Sequence, residues 1–270
     1  SRKCPEQMRG TLPGGPAGVE GLSPSGDSGR NPHVVLTGLR HPVGMNPETP
    51  TTAELNLPQA FLLLATNDKD GKPEVPVFAL RTTLAGAILA ELELIGAIEL
   101  QGKNVRATRA APPTDFQREL DLIRGKSRPH TPKRWVAMLE GRAEVQRVYE
   151  RMASLGIVEP LGEKHLGVFR STRYPEKDHG PEAALLGQLE AALAGAALAG
   201  AAAAKPDAKA AEARTTALIA LLHAAGLLGK LFPAADRVRA DELAKDYWPA
   251  RAVEDELRLI RLAQEEAATL

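Results

Sequence analysis

Residues 80–108 decide how this chain begins to fold, and they read LRTTLAGAILAELELIG, AIEL, QGKN and VRAT in succession. Apolar residues recur through the first block at three- and four-residue steps, which predicts an amphipathic helix over about 80–95. The stripe consists of Leu84, Ile88, Leu92 and Ile95. Gly96 follows and suits the left-handed position after a helix end. The two short apolar runs around the polar QGKN turn then predict a β-hairpin.

The same order of helix, glycine and hairpin recurs about sixty residues later. The block LGIVE at 155–159 matches IGAIE at 95–99. A strand at 157–159, a polar turn at 162–164 and a return over 166–169 are predicted as the second hairpin. Two copies leave open whether they arose by duplication or by coincidence.

Helical periodicity dominates the rest of the chain. A short apolar helix is predicted around 55–64, and it closes in the turn NDKDG at 67–71. Further helices are predicted at about 114–124, 131–140, 181–203, 215–228 and 236–245 and from 250 onward, with a polar linker at 205–209. The predicted fold class is therefore mainly α, one compact helical domain over 45–270 with two small β-hairpins, each following a helix and a glycine.

The first 44 residues differ from this domain in composition. They are rich in Gly, Pro and Ser and show almost no apolar periodicity. A segment of this kind cannot offset the entropy that ordering costs, so we expect residues 1–44 to be disordered. Met45 is followed by NPETPTT, which resembles an ordinary protein start, so we interpret 1–44 as an upstream segment.

Composition excludes several classes of protein. Lys+Arg and Asp+Glu number 34 each, so no global basic field is available to hold nucleic acid. The single cysteine, Cys4, cannot form an internal disulfide or a cysteine-based zinc site, which favours a reducing, cytoplasmic compartment. The longest uncharged apolar run, 191–204, is too short for a membrane span and consists mostly of Ala and Gly.

A search for catalytic motifs predicts no enzyme, no cofactor and no metal site. No two of the six histidines stand at metal-ligand spacing with a carboxylate between them, and no phosphate loop, nucleophile elbow or dinucleotide glycine pattern occurs. His223 lies in the apolar run ALLHAA and is predicted as a buried histidine bonded to a backbone carbonyl. Glu91 and Glu93 point apart on their helix and cannot act as a pair.

The strongest chemical feature is a basic tract. Its members are Arg124, Lys126, Arg128, His130, Lys133 and Arg134, with Arg142, Arg147 and Arg151 following on the next predicted helix. Such a patch suits phosphate oxygens, since arginine supplies forked donors. The alternative is a solvated face with ion pairs to Glu119, Asp121, Glu140 and Glu150, and charge alone favours it.

Several ordered stretches of this chain resemble the Golgi phosphoprotein 3 family, in an alanine-rich form of bacterial character. They include TLAGAILAEL at 83–92 with Gly96, and RTTALIALLHAAGLL at 214–228. Supporting stretches are LLL at 62–64 before DKDGK, KRW at 133–135 and FRSTRYP at 169–175. Together they extend from about 55 to 248, which covers nearly the whole predicted domain.

The resemblance implies a mostly helical, non-enzymatic peripheral membrane protein that binds phosphatidylinositol 4-phosphate. In eukaryotic members the headgroup pocket uses a tryptophan and three arginines, and the corresponding positions here are Pro76, Ala85, Arg142 and Val145. Arg81 lies one helical turn before Ala85, and Arg147 lies two residues after Val145, so each offers charge next to a pocket position that lacks it.

We therefore predict a site for an anionic lipid headgroup or another phosphate-bearing ligand at a membrane surface. Its predicted donors are Arg81, Arg142, Arg147, Lys133 and Arg134. The second hairpin contributes to oligomerisation and membrane contact in the family, so the resemblance also implies a homo-oligomer formed through it.

Two other functions stay open at this point. A helix followed by a hairpin is also the outline of a winged helix, but the candidate reading helix offers Thr82, Thr83, Ala87, Glu91 and Glu93 on its polar side, and acids there oppose phosphate. Nucleic acid is therefore disfavoured as a partner. The third function is a scaffold that docks proteins through the hairpins and the last helix, whose apolar residues are Leu257, Ile260 and Leu262.

Overall fold

The computed structural model describes residues 55–165, 168–195, 206–235 and 237–269. Within these residues it contains ten helices and two separate antiparallel two-stranded sheets, which confirms the mainly α prediction. The helices are α1 (Leu57–Leu64), α2 (Val77–Leu94), α3 (Gln117–Arg124), α4 (Pro132–Leu139), α5 (Arg142–Ser154), α6 (Gly180–Leu193), α7 (Pro206–Ala224), α8 (Leu228–Leu231), α9 (Arg237–Ala244) and α10 (Trp248–Ala268). The strands are β1 (Ile98–Gln101), β2 (Asn104–Ala107), β3 (Leu161–His165) and β4 (Val168–Arg173). The predictions for residues 1–44 lie outside the described residues.

Helix α2 forms the centre of the domain and contacts α1, α4, α5, α7 and α10. Leu84, Ile88 and Leu92 of the predicted apolar stripe are buried, and Ile95 is partly buried. The side predicted to be polar is also buried at Thr82, Thr83 and Glu91, which are less than a tenth exposed. Small residues make this close packing possible: a Cβ on Gly86 would lie 2.2 Å from Val253 Cγ2 of α10. This burial is a further argument against α2 as a helix that reads nucleic acid, because buried side chains cannot reach a groove.

The first hairpin forms as the sequence predicts. Gly96 has φ +72° and ends the turn after α2, where its backbone N–H bonds to the carbonyl of Glu93 at 2.8 Å. Strands β1 and β2 then pair with Ile98 opposite Ala107 and Gln101 opposite Asn104. Val105 and Ile98 are buried, so the hairpin packs one face against the helices.

The second hairpin lies later in the chain than predicted. Strand β3 begins at Leu161 and runs through the predicted turn at 162–164, and Leu161 pairs with Arg173. The predicted first strand, 157–159, instead contributes the buried Ile157 and Val158 to the core, and Val158 forms an isolated bridge to Glu176. Because Ile157 and Val158 are buried in the core, the first strand of the hairpin begins later, at Leu161.

Two predictions in the carboxyl-terminal half are also corrected. Helix α6 ends at Leu193, where Gly195 adopts φ +69°, whereas the prediction extended it to 203. Helix α7 already begins at Pro206, so the predicted polar linker is wrong from that residue onward. Proline at the start and the alanines that follow favour helix at this position.

His223 is the third correction in this half. Its side chain is 37% exposed, and its Nε2 lies 3.4 Å from Asp241 Oδ1 of α9. The apolar run around it predicts a buried histidine, but the His223 side chain points toward Asp241 of α9 and not into the core. None of the described helices combines the length and the hydropathy that crossing a membrane requires.

Candidate functional site

The backbone positions of two predicted arginines, Arg81 and Arg142, lie close to one hydrogen bond between α2 and the end of α4. Thr82 of α2 donates a hydrogen bond to Glu140 Oε2, the residue that ends α4, at 2.7 Å. Arg81 precedes Thr82, and Arg142 follows Glu140 by two residues as the first residue of α5. Because each arginine lies within two residues of this hydrogen bond, both side chains start from neighbouring backbone. In the described part of the chain neither of them forms an ion pair.

The amino end of α5 does not itself provide an anion site. Gly141 caps it without a side chain, and a Cβ there would lie 1.8 Å from Glu144 Oε2. The carboxylate of Glu144 therefore folds back over the first turn, where it complements the positive end of the helix dipole. An external anion at this place would be bound by guanidinium groups and not by the helix start.

Lys133 and Arg134 occupy the exposed side of the first turn of α4. Thr131 caps this helix, with Oγ1 accepting from the Arg134 N–H at 3.4 Å. Trp135 is fully buried and fixes the helix in the core, which leaves the two preceding cations in solvent. Burial and the carboxylate of Glu140 raise the pKa of Glu256 on α10, while Lys133 and Arg134 act in the opposite direction.

Glu140 connects these residues: it accepts from Thr82, the neighbour of Arg81, precedes Arg142 by two residues, and interacts with Glu256, as Lys133 and Arg134 do. We call the group of Arg81, Lys133, Arg134 and Arg142 with Glu140 and Glu256 the basic face. Four cations against two carboxylates give this group a local excess of positive charge in a chain with a formal net charge of zero. A chain without net charge needs a local basic patch if it is to attract an anionic surface.

An apolar side chain accompanies this charge. Val77 is the first residue of α2 and 53% exposed, and Pro76 before it is also exposed. Val77 and Arg81 are four residues apart, so they lie on the same side of α2. The start of α2 thus presents an apolar tip next to a cation, which is the combination found where proteins contact lipid headgroups.

Arg147 lies apart from the basic face. Its guanidinium bonds to Glu119 Oε1 of α3 and lies 3.4 Å from Glu144 Oε1. Five positions along α5 also turn Arg147 about 140° away from Arg142. It lines a separate cleft of about 160 Å³ together with Asn56 and Asp115. Glu119 is 2% exposed, so this pair neutralises a buried carboxylate.

Two other arginines of the basic tract form surface ion pairs, one with a predicted partner, Asp121, and one with a residue that was not predicted, Asp115. Arg124 lies 3.5 Å from Asp121, and Arg151 lies 3.9 Å from Asp115. His130 packs edge-on against Trp135 with ring centroids 5.6 Å apart. Arg124, Arg151 and His130 therefore make structural contacts, whereas Lys126 and Arg128 are exposed and form no ion pair within the described residues.

The family's pocket positions differ in their exposure. Arg142 is exposed, whereas Ala85 is 1% exposed and Val145 is half-buried against the core. Only Arg142 thus offers a charge at a matching position. Sequence reasoning missed Val77, although its four-residue spacing from Arg81 could have indicated it. It also missed Glu256, which no local pattern connects to α4.

The comparisons with known proteins agree with this architecture. The family model described as Golgi phosphoprotein 3 matches residues 57–260. A search of curated proteins found no match to the chain. The matched range begins at α1 and ends within α10, so it includes helices α1 to α9, both hairpins and the first part of α10.

Proposed function

Because this chain belongs to the Golgi phosphoprotein 3 family, we propose that it is a peripheral membrane protein that binds anionic lipid headgroups without catalysing a reaction. The basic face is the binding surface, on the cytoplasmic side of a membrane. The observation that carries the proposal is the arrangement of Arg81 and Arg142 at the two ends of the Thr82–Glu140 hydrogen bond, both without an ion-pair partner in the described residues.

Arginine is suited to a phosphomonoester such as the 4-phosphate of phosphatidylinositol 4-phosphate. Its planar fork donates two parallel hydrogen bonds to phosphate oxygens, and charge assistance makes these stronger than neutral ones. Lys133 and Arg134 add longer-range attraction of about 1 kcal/mol per cation near an anionic leaflet. Val77 would enter the headgroup layer beside them.

Vesicle flotation at low and physiological salt tests this proposal. The three vesicles contain phosphatidylcholine alone, phosphatidylcholine with phosphatidylserine, or phosphatidylcholine with phosphatidylinositol 4-phosphate at matched surface charge. We expect binding to both anionic vesicles, tighter to the phosphoinositide and weaker as salt rises. Equal binding to both anionic vesicles would support charge attraction without headgroup recognition.

The matched variants are R81Q/R142Q and R106Q. Arg106 is an exposed arginine on β2. The hairpin of β1 and β2 follows the carboxyl end of α2, whereas Arg81 lies near the amino end of that helix. Loss of two headgroup cations at about 1 kcal/mol each weakens binding by about 30-fold, while R106Q keeps it. Unchanged flotation of R81Q/R142Q with anionic vesicles would reject the basic face as the binding surface.

A further inference from the structure

A second chemical cluster lies where two loops cross, away from the basic face. The turn after α1 carries Asp68, and the segment between β4 and α6 carries Glu176. The backbone N–H of Glu176 donates to the Asp68 carbonyl at 3.0 Å, and the N–H of Lys177 donates to the Ile157 carbonyl at 2.8 Å. Main-chain hydrogen bonds thus fix both loops before any side chain contributes.

Four titratable side chains meet at this crossing. One ligand-type atom from each of Asp68, Glu176 and His179 lies within 4.8 Å of the other two. Glu182, in the first turn of α6, faces the carboxylates of Glu176 and Asp68. Two ligands that are each about 2.1 Å from one tetrahedral metal ion lie about 3.4 Å apart, so small side-chain rotations would bring this set into coordination.

Glu176 is the buried member of the cluster. Its side chain is 1% exposed, and Oε2 is hydrogen-bonded to His179 Nδ1. Its other oxygen, Oε1, is buried and has no hydrogen-bond partner among the described residues. A buried carboxylate oxygen without a donor is costly, because it has lost water and gained nothing in return.

The negative charges of the cluster also favour a bound cation. The Glu182 carboxylate lies close enough to those of Glu176 and Asp68 for the like charges to repel one another. Within the described residues no lysine or arginine forms an ion pair with any of the three acids, and nearby Lys230 donates to the Glu74 carbonyl at 2.7 Å. A bound cation would relieve this repulsion.

An entry path leads to the cluster from solvent. Asp68 and Glu182 line a cleft of about 430 Å³, which Leu186 and Leu227 also line. His179 is 71% exposed at the rim. An ion can therefore reach the carboxylates without unfolding the loops.

We propose that Asp68, Glu176, His179 and Glu182 form a binding site for a divalent transition-metal ion of the zinc or manganese type. One imidazole with three carboxylates suits these ions, whereas magnesium and calcium prefer oxygen ligands alone. The ion would join the loop after α1 to the start of α6. This site is independent of lipid binding, and its test uses neither lipid nor vesicles.

Metal uptake by the full chain, expressed without a histidine tag and treated with a chelator, tests the site. Titration with zinc chloride by calorimetry, followed by dialysis and elemental analysis, gives affinity and stoichiometry. We expect an ion at this site in the wild type and a higher Tm after zinc addition. Magnesium at the same concentration should leave the Tm unchanged.

Variants separate this site from other ligands in the chain. E176Q and H179Q should each weaken zinc binding at least about 10-fold. H223Q is the matched control, because His223 also lies beside an acid, Asp241, but outside the cluster. Zinc retained by the E176Q/H179Q double variant measures uptake outside the cluster, for which Cys4 and the other histidines of the chain are the available ligands.

Two further measurements test the site even if a variant folds poorly. Far-UV circular dichroism verifies each fold, and cobalt(II) bound to the wild type should give visible d–d absorption that zinc displaces. Absence of zinc uptake by the wild type would overturn the site. Equal uptake by the wild type and E176Q/H179Q would also overturn it, since the ion would then lie elsewhere.

Discussion

Arg214 of α7 donates two hydrogen bonds to Glu91 of α2, from Nη1 to Oε2 at 2.6 Å and from Nη2 to Oε1 at 3.1 Å. Glu91 Oε2 also accepts from the backbone N–H of Leu57, the first residue of α1, at 2.8 Å. The Glu91 side chain is 8% exposed. One carboxylate therefore connects three helices of the core, and its neighbour Glu93 bonds instead to the indole N–H of Trp248.

R214A should destabilise the fold by about 3 kcal/mol, because it leaves the buried Glu91 carboxylate without its cation. Urea denaturation followed by circular dichroism measures the change. R258A is the matched control: its pair with Asp255 at 3.4 Å is exposed and should contribute less than about 0.5 kcal/mol. A similar loss in both variants would show that the Glu91 pair is no stronger than a surface pair.

R147A and R142A should have opposite effects, although the sequence predicted the same role for both residues. Without Arg147 the buried Glu119 carboxylate is unpaired, so we expect a loss of about 2 kcal/mol in the free energy of unfolding and unchanged vesicle binding. Arg142 is exposed, so R142A should weaken vesicle binding and leave stability within about 0.5 kcal/mol. Weaker flotation of R147A at full stability would instead place Arg147 in the binding surface.

Local sequence patterns predicted the parts of the fold that local physics controls. The helix before Gly96 and the first hairpin follow from apolar spacing and from a glycine at positive φ. The second hairpin and the end of α6 were misplaced, since burial of Ile157 and Val158 depends on helices elsewhere in the chain. The exposure of His223 likewise depends on α9, which no window around residue 223 contains.

The candidate sites show the same limit. Sequence grouped the four cations of the basic face with Arg147, and it named Glu119 as an ion-pair partner without assigning it to Arg147, 28 positions away. A search for paired histidines missed the metal cluster, in which Glu176, His179 and Glu182 recur every three residues and Asp68 comes from a distant loop. The main-chain bond between Glu176 and Asp68 joins the two loops, and no local sequence pattern indicates it.

G71A should destabilise the fold much more than G96A. Both glycines have positive φ, +65° and +72°. A Cβ on Gly71 would lie 2.4 Å from the Tyr174 nitrogen, whereas a Cβ on Gly96 would meet nothing within 4 Å. We expect about 1 kcal/mol for G96A from backbone strain, and at least about 2 kcal/mol more for G71A from the clash.

Urea denaturation of the two variants side by side gives this difference. Because Gly71 holds the loop of Asp68 against the segment of Glu176, G71A should also weaken zinc uptake, and G96A should not. Equal destabilisation by the two substitutions would mean that the loop moves away from Tyr174 at little cost.

The buried phenol of Tyr149 should make the fold sensitive to alkaline pH. Thr66 Oγ1 donates its single proton to the Leu62 carbonyl at 2.6 Å, so the Tyr149 hydroxyl, also 2.6 Å from Thr66 Oγ1, must be the donor in that pair. The ring stacks on Tyr174 with centroids 4.4 Å apart. Burial raises the pKa of Tyr149 to about 12. The folded state therefore favours the neutral phenol.

The sign of the pH dependence follows from this shift. Below pH 10 the phenol is neutral in both states, and its contribution to stability is fully present. Between about pH 10 and 12 the unfolded chain loses the proton while the folded chain keeps it, so stability falls by about 2 to 3 kcal/mol. Urea denaturation from pH 8 to 12 should show this decline in the wild type and a shallower one in Y149F, which has no proton to lose there. Tyr247 and Tyr174 are present in both proteins, so the difference between the two slopes of stability against pH reports on Tyr149. Parallel slopes would show that the Tyr149 hydroxyl reaches solvent.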